Sequence, residues 1–416
     1  MLRKIPVGQL RPGMYLHALC GSWFDHPFWK SKFLLREITD VEQVLQSKLR
    51  EVVIDVSRGL DVEVKPTTLG SEVGPTPAPT SGPAPAPRLI PEPSAAQLTR
   101  ARAREQAQAH SRQLVEESRQ FVSSMFEDAR LGRALDIESG RKLVEQITGS
   151  VLDSPGTLVS LVRLKSADEY TYLHSVAVCA LMVSVGQQLR LDKATLRDAG
   201  FAGLMHDLGK AVMPSEVLNK PGKLSDEEFA VIRTHPERGA ELLRAAGADT
   251  GAVFDVCLHH HEKVDGSGYP KGLKADQISL VAKMGAVCDV YDAITSERPY
   301  KSGWNPADAL HQMAQWKGHF DPLVFQAFVR AIGIYPIGSI VRLQSGRIAV
   351  VTEHDAASLL APKLVAFFSC KSQMRIVPQN VDLGAALCRD RIVACEPLEQ
   401  WRFQEIEKLW GGRSLN

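Results

Sequence analysis

Between Glu138 and Gly333 the sequence leaves little room for anything but helices. Ser225-Asp226-Glu227-Glu228 is a reciprocal N-terminal capping pattern, in which a hydroxyl and a carboxylate exchange bonds with orphan backbone N–H groups. Asn305-Pro306 and Asp321-Pro322 each place a capping side chain before a first-turn proline. Between these signals, apolar residues recur every three to four positions near 155–165, 170–187, 192–204, 235–245, 249–260 and 279–294. The pattern predicts one mainly α, bundle-like domain over 138–333. With 44% hydrophobic and 23% charged residues, the chain can bury an ordinary core.

Two shorter units flank this domain. Residues 1–65 read as a small α+β domain: Val52 to Val56 is a β-branched strand. Asp40 caps a helix to Leu49 through Val41, Val44 and Leu45, and Ile5–Leu10, Met14–Leu19 and Phe33–Ile38 are extended. Trp23, Phe24, Phe28 and Trp29, with His26, read as a core cluster. Residues 66–94 are rich in proline and alanine, bury too little apolar surface to order themselves, and form a disordered linker. A connecting segment over 95–137 is helical from Ala95 to about Gly132. Its seam of Leu114, Ser118, Phe121 or Val122, and Met125 either packs on the next domain or joins two copies as a homodimer. After Tyr335 the pattern turns β-rich, with strands at Gly338–Leu343, Arg347–Thr352 and Leu364–Phe368 in an appendage over 334–416. Glu399–Trp410 reads as a terminal helix.

The formal net charge of +1 gives no overall attraction to nucleic-acid polymers or anionic membranes. The seven cysteines are scattered without a C-x-x-C pair, which fits a reducing compartment rather than a disulfide framework. The first residues lack the apolar core of a signal peptide, and the longest apolar run, Val176–Val185, is too short to span a bilayer. The expectation is a cytoplasmic protein without membrane insertion.

Chemistry concentrates in the helical domain. Of the 12 histidines, six lie between His174 and His261. His174 falls within one predicted helix, and His206-Asp207 ends the next, followed by Lys210. His235 opens another, His259-His260-His261 ends a further one, and Asp289 lies inside the helix after that. Imidazole and carboxylate suit iron, manganese or zinc. Helical bundles build dinuclear sites from side chains on facing helices. Two ions roughly 3.5–4 Å apart need a bridging anion, which an aspartate between two histidine groups can supply. His110, His311, His319 and His354 stand outside the pattern. Adjacent histidines point about 100° apart on a helix, so His259, His260 and His261 cannot all serve one ion.

These blocks carry a resemblance. Tyr170-Thr-Tyr-Leu-His174, His206-Asp207-Leu-Gly-Lys210, His235-Pro-Glu-Arg-Gly239, His260-His261-Glu262 with Asp265-Gly-Ser-Gly268-Tyr269-Pro270, Asp289-Val-Tyr-Asp292, and Arg298-Pro299-Tyr300 resemble the HD-GYP family of the HD phosphohydrolase superfamily. The stretch from Ile5 to Met14, with Trp23–Phe28 and Val52–Asp55, is similar to a domain of unknown function that often precedes HD-GYP modules. The resemblance implies an HD domain with a dinuclear site of two divalent ions, iron or manganese. It implies a phosphodiesterase of bacterial second-messenger signalling that opens cyclic di-GMP to linear pGpG, with a further cut to GMP. By position, His174, His206, Asp207 and Asp289 would hold one metal, and Asp207 would bridge to a second held by His235, His260 and His261. Asp207 and Lys210 would be catalytic, and Lys210, Tyr269, Arg298 and Lys301 would contact substrate. Tyr170 stands where some members carry a carboxylate that helps hold a third ion, and Glu169 points elsewhere, so two ions are expected.

Two further readings stay open. A chain with a tethered N-terminal domain could bind cyclic di-GMP as a sensor or scaffold, engaging a GGDEF-type or other signalling protein. An HD phosphohydrolase could also act on another nucleotide.

Overall fold

A computed structural model describes residues 2–20, 33–35, 41, 51–60, 95–154, 156–162, 170–220, 222–248, 251–296, 303–355, 358–396, 401 and 409. The Trp23–Trp29 cluster with His26, the Asp40–Leu49 helix apart from Val41, the 66–94 linker, Glu169, Arg298 and Lys301 lie outside them. The Glu399–Trp410 helix does too, apart from Trp401 and Leu409. The contacts divide the chain into two units, Met1–Leu89 and Ile90–Asn416.

The first unit holds four strands, β1 (Leu2–Pro6), β2 (Tyr15–Cys20), β3 (Phe33–Leu34) and β4 (Glu51–Asp55), in the antiparallel order β1-β4-β2-β3. The β-branched run around Val52 becomes the second strand in that order, and Val52 and Ile54 pack with Ile5, Met14, Leu16 and Leu35. Between β1 and β2 the expected extended stretch is interrupted by a 3-10 turn, Val7–Gln9.

The second unit opens with α1 (Ala95–Arg130). Leu114, Ser118, Val122 and Met125 are buried, and the apolar members of that seam join the core of the chain's own bundle. The seam therefore packs on the following domain. Next come α2 (Ile137–Asp153), α3 (Thr157–Val162), α4 (Tyr170–Gln188) and α5 (Lys193–Met205). Asp192 caps α5 by accepting from the backbone of Ala194 and Thr195. Helix α4 is apolar on every side, and residues 173–186 are all buried. Such a helix stands at the centre of a bundle, and α5, α10 and α12 pack around it.

A 3-10 turn (Leu208–Val212) follows α5, then α6 (Ser215–Leu218), α7 (Asp226–Ile232), α8 (His235–Ala245), α9 (Gly251–His259), α10 (Leu280–Thr295), α11 (Pro306–Gln315) and α12 (Pro322–Ile332). The caps expected at Ser225, Asn305 and Asp321 all form, and Ser225 and Glu228 make the full reciprocal pair. No helix among the described residues is long and apolar enough to cross a membrane.

The C-terminal sheet has five strands: β5 (Ile340–Leu343), β6 (Arg347–Asp355), β7 (Ser358–Ser369), β8 (Met374–Asp382) and β9 (Ile392–Glu396). Their order is β8-β7-β6-β5-β9, antiparallel throughout. Sequence periodicity finds β5, β6 and β7, which carry the sheet's apolar residues. It misses β8 and β9, edge strands whose side chains are mostly exposed.

Close backbone approach sets the geometry of the bundle's functional end. A Cβ on Gly209, in the 3-10 turn, would meet the His235 carbonyl oxygen at 1.9 Å and the Gly239 nitrogen at 2.6 Å. The turn therefore lies directly on α8. Gly209→Ala is expected to lower stability by at least about 2 kcal/mol, because the obstructing atoms are backbone rather than a flexible side chain. Gly149→Ala, inside α2 with nothing within 4 Å of its Cβ, is expected to gain about 0.5–1 kcal/mol. Urea unfolding of both variants checks the pair, and equal effects would contradict the packing argument.

Candidate metal centre

Five helix ends and middles deliver the expected side chains to one place. His174 projects from the first turns of α4. His206 and Asp207 follow the last residue of α5, His235 opens α8, His260 and His261 follow α9, and Asp289 sits midway along α10. His174, His206, Asp207, His235, His260 and Asp289 are all buried, and His261 is half-buried.

Two ligand groups result. Potential ligand atoms of His174, His206 and Asp207 lie within 4.8 Å of one another, as do those of Asp207, His235, His260 and His261. Asp207 belongs to both. Its Oδ2 is 3.5 Å from His174 Nε2, 3.4 Å from His206 Nε2 and 2.6 Å from Lys210 Nζ. Its Oδ1 is 3.3 Å from His235 Nε2 and 3.7 Å from His260 Nε2. Asp289 Oδ1 lies 3.0 Å from His174 Nε2 and 3.8 Å from His206 Nε2, while Oδ2 lies 3.8 Å from His261 Nδ1.

The rings are aimed by what holds their other nitrogen. His206 Nδ1–H donates to the Gly203 carbonyl at 2.8 Å, His235 Nδ1–H to Ile232 at 2.7 Å, and His260 Nδ1–H to Val256 at 2.9 Å. His174 Nδ1–H donates to Asp292 Oδ2 at 2.7 Å. All these partners accept, so each ring turns its Nε2 toward the centre, as in metal sites whose outer contacts orient the ligands. Asp292 is the residue to which sequence reasoning assigned no role. Its signal was the i, i+3 spacing from Asp289, which places both carboxylates on one face of α10.

The electrostatics call for a cation. His235 Nε2 and His260 Nε2 face each other at 3.3 Å with Asp207 Oδ1 beside them. His206 Nε2 and Asp207 Oδ1 are buried without a hydrogen-bond partner, an arrangement that is costly unless something else satisfies them. Burial and the neighbouring imidazoles of His261, His206 and His235 hold His260 well below the usual histidine range, against the pull of the Asp289 carboxylate. Burial likewise pushes His261 down to about 3. At His206, burial acts downward, but the Asp207 and Asp289 carboxylates outweigh it and push the ring up to about 10. Burial would raise Asp207, yet His206 and Lys210 hold it well below the carboxylate range. Nitrogen and carboxylate donors of this kind fit a divalent ion of the iron, manganese or zinc type.

The remaining candidates lie nearby or elsewhere. The Tyr269 ring stacks on His261, with centroids 4.6 Å apart and planes at 28°, and the Tyr269–Pro270 peptide is cis. Glu262, buried, accepts from the backbone of Lys271 at 2.7 Å and Leu273 at 3.0 Å and so anchors that turn. A Cβ on Gly268 would reach the Lys263 nitrogen at 2.4 Å, so only glycine lets the turn fold back on itself. His259 points away and pairs with Asp255 at 2.6 Å. The structure therefore brings together all seven expected metal-site residues with Lys210 and Tyr269, and Arg298 and Lys301 lie outside the described residues.

A helical bundle that gathers histidines from several helices around a shared aspartate can build a dinuclear metal site. Comparison with known proteins gives the family. A family model described as an HD domain matches residues 156–324. A second, described as a domain of unknown function (DUF3391), matches residues 2–139, running through the proline-rich stretch and α1. The chain is 51% identical over 413 residues to cyclic di-GMP phosphodiesterase PA4108 of Pseudomonas aeruginosa, covering 99% of this chain and 96% of that one. It is 39% identical over 181 residues to the cyclic di-GMP phosphodiesterase response regulator RpfG of Xanthomonas campestris pv. campestris, covering 41% and 47%. It is also 33% identical over 175 residues to 3'3'-cGAMP-specific phosphodiesterase 1 of Vibrio cholerae, covering 42% and 40%. The chain belongs to the HD-GYP family of the HD phosphohydrolase superfamily.

These shifts predict how the metal-stripped protein responds to pH. His206 binds its proton more tightly folded than unfolded, so its contribution to stability is complete below about 6.5 and is lost as pH rises through about 10. His260 and His261 are neutral when folded, so stability falls as pH drops below about 6.5 and the unfolded chain takes up their protons. Chelator-treated protein should therefore lose stability on both sides of neutrality in urea titrations. His206→Gln should flatten the alkaline limb, and an unchanged limb would contradict the assignment.

Proposed function

We propose that this chain is a metal-dependent phosphodiesterase that hydrolyses cyclic di-GMP to linear pGpG, and further to GMP, in bacterial signalling. The observation that carries the reading is the Asp207 carboxylate shared by two ligand groups. Cyclic di-GMP is the substrate named for the relative that matches nearly the whole chain.

In this reading His174, His206, Asp207 and Asp289 hold one divalent ion, and Asp207, His235, His260 and His261 hold the second. Iron or manganese suits the nitrogen and oxygen donors. Ions bound there would acidify an attacking water and neutralise charge on the phosphoryl oxygens. The chain's own groups do the rest. Asp292 and the backbone carbonyls fix the imidazole orientations, so the donors need not reorganise as substrate arrives. Lys210, its ammonium 2.6 Å from Asp207 Oδ2, would stabilise negative charge on the reacting phosphate or on the leaving oxygen. Burial of the centre keeps bulk water from screening these interactions.

Cyclic GMP–AMP is the second substrate reading, favoured by the relative named as specific for it. Anaerobic preparation with metal analysis, followed by incubation with each cyclic dinucleotide, separates the two. Stoichiometric iron or manganese without turnover of either would sink the catalytic reading. Asp207→Asn is expected to lose both metal and turnover. Lys210→Met should keep its metal and lose about 100-fold in kcat, the scale of one preorganised charge-stabilising donor.

A further inference from the structure

We propose that Arg233 is a substrate-binding residue whose guanidinium takes the second, non-reacting phosphate of the cyclic dinucleotide. The inference rests on the function proposed above, and it concerns a residue outside the family motifs.

Arg233 is the C-terminal cap of α7, two residues before His235. Its guanidinium carbon lies 4.7 Å from the centre of the Tyr269 ring and 5.9 Å from that of Phe229. Phe229 meets Tyr269 edge-on at 6.3 Å, and Tyr269 itself stacks on His261. One aromatic ring thus contacts both a metal-site histidine and this arginine. The guanidinium is exposed, and no carboxylate pairs with it among the described residues. Some other arginines of the unit pair with carboxylates, Arg238 with Glu241 and Arg197 with Glu145. Two of the three acidic residues of α7 are engaged elsewhere, Glu227 by Ser225 and Glu228 by Lys220, and Asp226 opens the helix at its far end.

A cation held over a ring face keeps its in-plane N–H donors free, and that fork matches two phosphate oxygens. A cyclic dinucleotide carries two charged phosphodiesters, and the metal centre can take only one. Lys210 is committed to the Asp207 side. Among the described residues, Arg233 is a cation without a carboxylate partner that stands across Tyr269, where the second charge needs a partner. Phe229, 46% exposed beside it, offers a face on which a base can stack.

The test uses the full, metal-loaded chain with Arg233→Ala and Arg233→Lys. Substrates are cyclic di-GMP, cyclic GMP–AMP and bis(p-nitrophenyl) phosphate, which has a single phosphodiester. For the cyclic dinucleotide that the parent protein hydrolyses, Arg233→Ala should raise KM about tenfold with kcat within about twofold, the scale of one charge-assisted contact. Arg233→Lys should restore part of that, because it keeps the charge and loses the fork. Kinetics on the single-phosphodiester substrate and metal content should follow the parent. An unchanged KM would overturn the proposal. So would an equal loss on both kinds of substrate, which would mark Arg233 as a prop for Tyr269 and His261. If the parent cleaves the single-phosphodiester compound and neither cyclic dinucleotide, the function reading fails and this inference falls with it. If the parent cleaves a cyclic dinucleotide and Arg233→Ala matches it, this inference alone fails.

Discussion

The second unit is built around a buried carboxylate that cannot be satisfied by protein alone. Asp207 has the Nε2 atoms of His174, His206, His235 and His260 around its two oxygens, and Lys210 on one of them. Taking a carboxylate out of water is unfavourable by several kcal/mol unless opposite charge compensates. One ammonium and a proton on His206 compensate only the Oδ2 side. Across Oδ1, two imidazole lone pairs face each other at 3.3 Å. No neutral arrangement of these acceptors is favourable, so the site is shaped for positive charge.

Holding such a cluster demands that the elements carrying it cannot relax apart. The centre lies where the end of α5, the start of α8, the end of α9 and the middle of α10 converge on buried α4. Helix termini supply part of the answer. Carbonyls of the α5 and α9 backbones, and that of Ile232 at the end of α7, receive the ring N–H groups of His206, His260 and His235. The same bonds fix the imidazoles, and those to Gly203 and Ile232 fall on carbonyls in the last turns of their helices, where intrahelical partners run out. Glycine supplies the rest, since Gly209 lets the turn after Asp207 lie against α8 at backbone contact distance.

Much of this was legible in the sequence, for identifiable reasons. Helix caps are local, and Ser225, Asn305 and Asp321 each announce their element within four residues. Helical periodicity is strongest where one face is buried, which is why α5, α8, α9 and α10 fall near their expected ranges. Histidine and aspartate on successive helices form an unusual pattern that marks the candidate region, and the resemblance to the HD-GYP family is what narrows it to seven expected ligands. What stayed hidden was set by tertiary contact. Polar β8 and β9 form by pairing with the edges of an apolar centre, which leaves little mark on their own composition. Whether the α1 seam faced its own bundle or a second copy could not be decided from a repeat that serves both. The Arg233–Tyr269 contact joins residues far apart in the chain, and neither carries a local signal of the other.

The Gly-Tyr-Pro turn shows how one segment can serve both sides of a site. By the family resemblance its tyrosine is expected to contact substrate. In the structure its tyrosine also covers His261, and Glu262 ties the turn down through two backbone N–H bonds immediately after the histidine pair. The arrangement of His259, His260 and His261 follows from the same place. Helix α9 ends at His259, which still obeys the helical direction and pairs with Asp255 one turn back. His260 and His261 follow its last residue, and their rings lie 4.1 Å apart, close enough to address one centre. A helix continued through all three would have spread them around its axis. The end of the helix at His259, with Glu262 N–H turning back to the His259 carbonyl, is therefore what lets two adjacent histidines converge.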